Sequence, residues 1–221
     1  MIFIILSIIL FDYIMEKFKI EGRYYIIHSI ANGIIVYNSF QGTLDSYNIG
    51  IYEIKPLVFI ENNIDICRTI IYSLHVYHII WYFKKLRFDD WLHHILMVGI
   101  ALPLTIYIPP SNIILHSFFF INGLPGCIDY FLLFLNRNNI ISTYFEKRIN
   151  CLLNLWIRCP GCIMNITLII ITMIRLYDTL SLYNIIAMYI IIITIYWNGI
   201  YFMNQIVVDY NMYINSPTYK N

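Results

Sequence analysis

The chain has few charged residues. Only 12% of its 221 residues are Asp, Glu, Lys or Arg, whereas a typical soluble domain contains about 25%. The deficit extends along the whole chain, 60% of the residues are hydrophobic, and the mean hydropathy is +0.68. Most of the molecular surface is therefore expected to face lipid, which excludes an ordinary soluble globular domain.

A strong charge imbalance, a disulfide framework and a signal peptide are also missing. The net charge is +1, so the chain lacks the basic surface of a nucleic-acid-binding protein. The five cysteines are odd in number and four lie in or beside apolar stretches, which excludes a secreted disulfide framework. The first fifteen residues lack a basic start and a small-residue cleavage site, and they predict a retained helix.

Long apolar stretches take the place of these features. A helix that crosses a bilayer needs about 20 largely apolar residues. The sequence predicts an all-α, polytopic membrane protein with about seven transmembrane helices, at 1–15, 23–40, 64–83, 90–108, 111–135, 148–174 and 181–206. The segment 41–63 is predicted to be the longest loop. Pro125 and Pro160 fall inside spans, where prolines often mark kinks near a site.

The basic residues alternate from one connecting segment to the next. Ten Lys and Arg residues lie in the first, third and fifth connections and the tail, against two in the opposite loops. The positive-inside rule then places the N-terminus in the lumen and the C-terminus in the cytosol. We divide the chain into an N-terminal helix with a basic loop (1–22), a membrane domain (23–206) and a cytosolic tail (207–221).

Polar residues recur at one depth of these predicted spans. His28, His78, His94 and Asp129 each lie four to eight residues from the nearest charged residue at the predicted cytosolic end. At 1.5 Å per residue they lie within roughly 6–12 Å of one membrane face. Such a layer on several helices predicts a cavity that opens to the cytosol, and the apolar remainder of the helices could hold an acyl chain.

Arg158 is predicted to lie near the middle of the membrane. An unpaired charge there costs about 2.5–3.5 kcal/mol on insertion scales, so the guanidinium needs a partner. Asp129 is one candidate, and pairing with Arg158 would make this carboxylate structural rather than catalytic.

The adjacent histidines His93 and His94 are the most informative pair in the chain. Successive residues of an α-helix point about 100° apart, so we expect one imidazole to face the cavity and the other to support it or meet a neighbouring helix. Asp89 and Asp90 each precede a histidine by four residues and are placed to orient an imidazole. Solvation of both aspartates at the membrane surface is the alternative.

These residues resemble the TLC-domain family, which includes the ceramide synthases. The resemblance runs from about Arg23 to Gln205, and the chain looks like a divergent, protist- or virus-like member. It is carried by Ile27-His28-Ser29-Ile30-Ala31, residues 72–83, Phe88-Asp89-Asp90-Trp91-Leu92-His93-His94, Asn122-Gly123-Leu124-Pro125-Gly126 and Trp156-Ile157-Arg158-Cys159-Pro160-Gly161. Two positions depart from the family pattern: His75 stands where an aspartate is common, and Asn122 where ceramide synthases have acids.

The resemblance implies a fold and a chemistry. Six of the helices would form a TLC-like barrel around the cavity, in the endoplasmic reticulum. The activity would be acyl-CoA-dependent N-acylation of a lipid, with His93 or His94 as base or transient acyl acceptor and Asp129 or His75 orienting it. The substrate-binding candidates are His28, His75, His78, Asn122 and Arg158. Acyl-CoA would be a co-substrate, and no other cofactor is implied.

Three other hypotheses use the same residues. A non-enzymatic protein could bind a lipid in the cavity or regulate membrane composition. A single metal at His75, His78 and one of the pair is geometrically conceivable, although membrane di-iron enzymes need more than the six histidines present. Cys159-Pro160-Gly161-Cys162 has thioredoxin-like spacing but no surrounding βαβ pattern, so we interpret it as a kinked helix.

Overall fold

The computed structural model describes residues 1–50, 58–86, 88–108 and 111–216. Seven helices, here α1 to α7, account for most of this part of the chain, and the described ranges contain no strand. The all-α prediction is therefore confirmed. The helices run over Ile2–Lys17, Arg23–Ser46, Val58–Tyr82, 88–104, Asn112–Arg137, Thr143–Arg175 and Leu182–Ile214.

Three of these helices, α5, α6 and α7, are long and apolar enough to cross a membrane. They contain 26, 33 and 33 residues, or roughly 40 to 50 Å of helix at 1.5 Å per residue. A hydrocarbon core about 30 Å thick would be crossed by each of them.

The helix contacts close a ring. In the described part of the chain, α2 packs against α3, α3 against α4, α4 against α7, α7 against α6, α6 against α5, and α5 against α2. Helix α1 lies outside this ring against α2 and α3. Arg23 at the start of α2 forms ion pairs with Asp12 (3.4 Å) and Glu16 (3.2 Å), which tie the ends of α1 and α2 together.

Three of the ring helices contain a π-helical segment, and each segment ends two residues before a proline. The segments are His94–Ala101 before Pro103, Phe119–Gly123 before Pro125, and Asn154–Arg158 before Pro160. A proline inside a helix has no N–H to donate, and its ring clashes with the carbonyl of residue i−4. The wider π turn gives that carbonyl room, so the helix continues past the proline instead of breaking.

The prediction of a loop over 41–63 is wrong at both ends. Helix α2 continues to Ser46 and a 3₁₀ turn follows at Tyr47–Gly50, while α3 already begins at Val58. Hydroxyl groups explain the extension of α2, because Thr43 donates to the Ser39 carbonyl (2.8 Å) and Ser46 to the Thr43 carbonyl (2.7 Å). These polar side chains are satisfied by the helix itself and do not end it. Residues 51–57 lie outside the described ranges.

Two glycines allow the closest helix contacts of α6. A Cβ added at Gly161 would lie 2.2 Å from Cδ1 of Phe120 on α5, and one at Gly199 of α7 would lie 2.9 Å from the Cys162 Cβ. At these two points the neighbouring helix therefore packs directly against the glycine backbone, with no side chain in between. The Pro160-Gly161 pair thus has a packing role that needs no redox chemistry.

We predict that Gly161→Ala destabilises the protein. The new methyl group overlaps the Phe120 ring, and overpacking of this kind costs about 1–3 kcal/mol. Thermal unfolding of the detergent-solubilised protein should show a lower Tm, and Phe120→Ala combined with Gly161→Ala should recover part of the loss. Gly33→Ala is the matched control, because its Cβ would make an ordinary contact with Cys127 Sγ at 3.5 Å. Equal Tm values for the two alanine variants would contradict the packing argument.

Candidate functional site

A cavity of about 1360 Å³ lies inside the helix ring. Its rim includes Lys19, Arg23, Arg137 and Lys147 together with the acidic Glu16, Glu21 and Asp209, so it opens at the end of the bundle that carries the basic connections. Lys147 forms an ion pair with Asp209, which joins α6 to α7 at this rim. The floor of the cavity is formed by imidazoles and amides from several helices.

All eight residues that the sequence nominated line this one cavity: His28, His75, His78, His93, His94, Asn122, Asp129 and Arg158. They come from five helices, α2 to α6. The structure therefore brings the nominated residues together in one cavity. What each residue does there remains a prediction.

Five imidazoles form a connected cluster. The His94 ring centroid lies 5.1 Å from those of His75 and His78, and 5.9 Å from that of His93. His75 lies 5.8 Å from His93, and His28 lies 5.5 Å from His78. The sixth histidine, His116, is outside this cluster and bonds to Tyr47 and Asn165.

The expectation that only one histidine of the pair faces the cavity is wrong. His93 and His94 both line it, and the His75 ring contacts both. The reason is the width of the cavity. With a volume of about 1360 Å³, it is bordered by both side chains although they diverge by about 100° on the helix.

Three of the clustered histidines bond to their own helix. Nδ1 of His28 lies 2.8 Å from the Tyr24 carbonyl oxygen, Nδ1 of His75 lies 2.7 Å from that of Ile71, and Nδ1 of His94 contacts that of Asp90. A carbonyl oxygen only accepts hydrogen bonds, so each Nδ1 carries a hydrogen. In a neutral ring the lone pair is then on Nε2, and Nε2 of His94 is buried without a hydrogen-bond partner.

The observed contacts of Asp89 and Asp90 differ from the expected pairing of their carboxylates with the two histidines. The Asp89 carboxylate accepts a hydrogen bond from the Tyr201 hydroxyl at 2.6 Å, which links α4 to α7. Asp90 orients His94 through its backbone carbonyl, at the expected spacing of four residues.

The suggested Arg158–Asp129 pair is not formed in the described structure. Nη2 of Arg158 donates to Asn198 Oδ1 at 2.9 Å, and its guanidinium carbon lies 4.8 Å from the centre of the Phe202 ring. Asp129 makes no hydrogen bond to His93 or His94, and its Oδ1 is buried without a partner. This one oxygen of the carboxylate therefore has no protein partner in the described structure.

Comparison with protein-family models, with curated proteins and with solved structures finds no match to this chain.

Two contributors to the site were not nominated from the sequence. The Tyr24 hydroxyl lies 3.3 Å from Nδ1 of His78, and the Tyr24 ring centroid lies 3.9 Å from that of His28. Asn198 is fully buried on α7, between Arg158 and His93. A single amide within the apolar run of α7 is the signal that could have identified Asn198, because polar side chains are costly in a membrane helix.

A smaller, mostly apolar cavity of about 40 Å³ shares His75, His93, Ile121 and Asn122 with the main cavity. It lies among the apolar side chains of Met97, Phe118 and Ile195. Polar and apolar space therefore meet at His75 and His93.

Neither a metal centre nor a disulfide is formed by the described side chains. No group of three or more His, Cys, Asp or Glu residues in the described ranges is arranged to hold a metal ion. Cys159 and Cys162 are both free thiols, buried at the α6–α7 contact.

We predict that the cavity admits small water-soluble reagents. A cysteine introduced at Asn122, in the cavity, should react with a small charged methanethiosulfonate at least about tenfold faster than one at Ile163, because the reagent attacks hydrated thiolate. Ile163 of α6 is exposed but does not line the cavity. Labelling above that of the unsubstituted protein is the measurement. Equal rates at the two positions would show that the cavity is closed to water.

Proposed function

We propose that the chain is a TLC-like, multi-pass protein of lipid metabolism that transfers an acyl group from a thioester to a lipid amine. All seven helices cross the membrane in this proposal, α2 to α7 form the barrel, and the rim faces the cytosol. Residence in the endoplasmic reticulum follows from the family resemblance. The closed order of helix contacts supports this arrangement, as do the Lys and Arg side chains among the charged residues of the rim.

The position of the histidine cluster is the observation that carries the proposal. Five imidazoles line a wide cavity with a charged rim, and two of them, His75 and His93, also line the small apolar cavity. A lipid amine and acyl-CoA have the same division into polar and apolar parts. Their reacting groups would meet at the histidines, with the charged part of CoA toward the rim and the acyl chain toward the apolar interior.

The chemistry needs a group that exchanges protons near neutral pH, and imidazole is the side chain suited to this. The amine nitrogen attacks the thioester carbon, the new C–N bond forms, and the C–S bond breaks with its electron pair on sulfur. A proton passes from the amine to an imidazole of the pair and then to the sulfur, which leaves as the free thiol. His75, which contacts both rings, positions them.

Asp129 has a different role in this proposal from the one that the sequence suggested. Its Oδ1 has no partner and it makes no hydrogen bond to the histidine pair. We assign it to holding the lipid amine, because a carboxylate forms strong charge-assisted hydrogen bonds to an amine or ammonium group.

We predict that His93→Ala and His94→Ala each reduce acyl transfer by about 10²- to 10⁴-fold, the usual contribution of a positioned acid or base. The assay uses purified protein in lipid vesicles, labelled acyl-CoA and a long-chain amine, with the amide product measured. His116→Gln is the control because His116 lies outside the cluster.

Unchanged product in both alanine variants would contradict the proposal. A wild-type protein that forms no amide but shifts phospholipid chain composition in cells would instead support the non-enzymatic lipid regulator.

We predict that Asp129→Asn raises the KM for the lipid amine and leaves the KM for acyl-CoA nearly unchanged. Loss of one hydrogen bond to a charged group is worth about 1.5–3 kcal/mol, or roughly 10- to 100-fold in KM. Steady-state kinetics with each substrate varied in turn measures both constants. Equal increases in the two KM values would assign Asp129 a structural role.

A further inference from the structure

The two histidines of the pair have different partners on Nδ1. His94 contacts the Asp90 carbonyl oxygen, so its Nδ1 carries hydrogen and its Nε2 has a lone pair. That Nε2 atom is buried without a protein partner, in a residue that lines the cavity. His94 therefore has an acceptor nitrogen that no protein group occupies.

His93 faces a side-chain amide instead of a carbonyl. Nδ1 of His93 lies 3.5 Å from Nδ2 of Asn198, and Oδ1 of the same amide accepts a hydrogen bond from Arg158 at 2.9 Å. A guanidinium group has donors only, so the oxygen of Asn198 must face Arg158 and the NH₂ group must face His93. An amide NH₂ also only donates. Nδ1 of His93 is therefore the acceptor, and the hydrogen of the neutral ring is on Nε2.

From these contacts we infer that Asn198, oriented by Arg158, is a positioning residue that keeps His93 in the Nε2–H tautomer. The adjacent histidines then present opposite groups to the cavity, a lone pair on His94 and an N–H group on His93. The catalytic part of this inference rests on the proposed acyl transfer, whereas the tautomers themselves do not.

The surroundings hold this arrangement together. The Phe202 ring lies 4.8 Å from the Arg158 guanidinium carbon and 5.6 Å from the His93 ring centroid, so it covers both partners of Asn198. A cation over an aromatic face is stabilised by the ring quadrupole, most strongly away from water. Asn198 itself is fully buried, which leaves its amide little freedom to turn.

Opposite tautomers divide the reaction between the two rings. Nε2 of His94 takes the proton from the attacking amine and returns it to the leaving sulfur. The Nε2–H of His93 donates a hydrogen bond to the thioester oxygen, which becomes negative in the tetrahedral intermediate, and keeps its proton throughout. A neutral imidazole can act in this way because preorganised donors stabilise developing charge without transferring a proton.

Asn198→Asp tests the inference directly. The new carboxylate still accepts a hydrogen bond from Arg158. Toward His93 it presents an acceptor in place of the NH₂ donor, so the ring hydrogen of His93 should move from Nε2 to Nδ1. The measurement is ¹⁵N NMR of protein labelled at histidine, in lipid vesicles, since the two ring nitrogens have distinct shifts in the two tautomers. The spectrum of His93→Gln identifies the His93 signals. We expect an Nε2–H signal for His93 in the wild type and an Nδ1–H signal in the variant.

The kinetic result should follow the tautomer. Loss of one oxyanion donor costs about 10²- to 10³-fold in kcat. Asn198→Asp should therefore lower kcat by that factor, while the KM for acyl-CoA changes less than about threefold. Arg158→Met, which frees the amide to turn, should give His93 signals of both tautomers.

Asn165→Asp is the matched control. Asn165 is also fully buried, and its Nδ2 faces Nδ1 of His116 at 3.1 Å, away from the cavity. The same change there should alter the His116 signal and leave kcat within about twofold. Equal losses of kcat at the two positions would attribute the effect to a buried carboxylate and overturn the role of Asn198.

An Nδ1–H signal for His93 in the wild type overturns the inference even if the variants do not fold. An Nε2–H signal that does not move in Asn198→Asp overturns it as well. If the tautomers are as inferred but the wild type forms no amide, the proposed acyl transfer fails and the role of Asn198 in fixing the tautomer remains.

Discussion

The missing N–H group of proline is the constraint from which the site develops. Pro103, Pro125 and Pro160 each lie inside a helix of the ring, and each follows a π segment by two residues. Residues of these three segments line the cavity: His94 in α4, Asn122 in α5, and Asn154 and Arg158 in α6. Side chains in a π turn do not follow the regular spacing of an α-helix, and they point in directions that α-helical side chains do not take. The same distortion that accommodates each proline thus turns polar side chains inward.

A second constraint is the hydrogen-bonding demand of side chains that lie in apolar surroundings. Every buried N–H group needs an acceptor, and the nearest one on a helix is the carbonyl four residues earlier. His28, His75 and His94 use this acceptor. The backbone therefore determines which nitrogen of each ring faces the cavity, with no carboxylate required. His93 and His78 contact side chains instead, Asn198 and Tyr24, and their protonation depends on tertiary structure.

Much of the architecture can be predicted from the sequence because apolar length and basic loops are local signals. Seven helices were expected at nearly the positions where they occur, and the polar residues counted from the helix ends all line one cavity. The helical state of residues 41–46 could not be predicted from polarity, since Thr43 and Ser46 satisfy their hydroxyl groups on the same helix. That His93 and His94 both line the cavity could not be predicted, because the width of the cavity is a property of the packed helices. Asn198 was missed because its partners lie on α4 and α6, far away along the chain.

The order in which the ring closes also bears on biosynthesis. His93 and Asn198 are 105 residues apart, and α7, which carries Asn198, contacts α4 and α6 to complete the ring. While the chain is being synthesised, α2 to α6 are made before α7, so the two histidines exist for a time without the side chain that distinguishes them. Until then, the ring formed by α2 to α6 would have a gap where α7 later packs. The chemical asymmetry of the pair is consequently acquired last, as a property of final assembly rather than of the segment that contains the histidines.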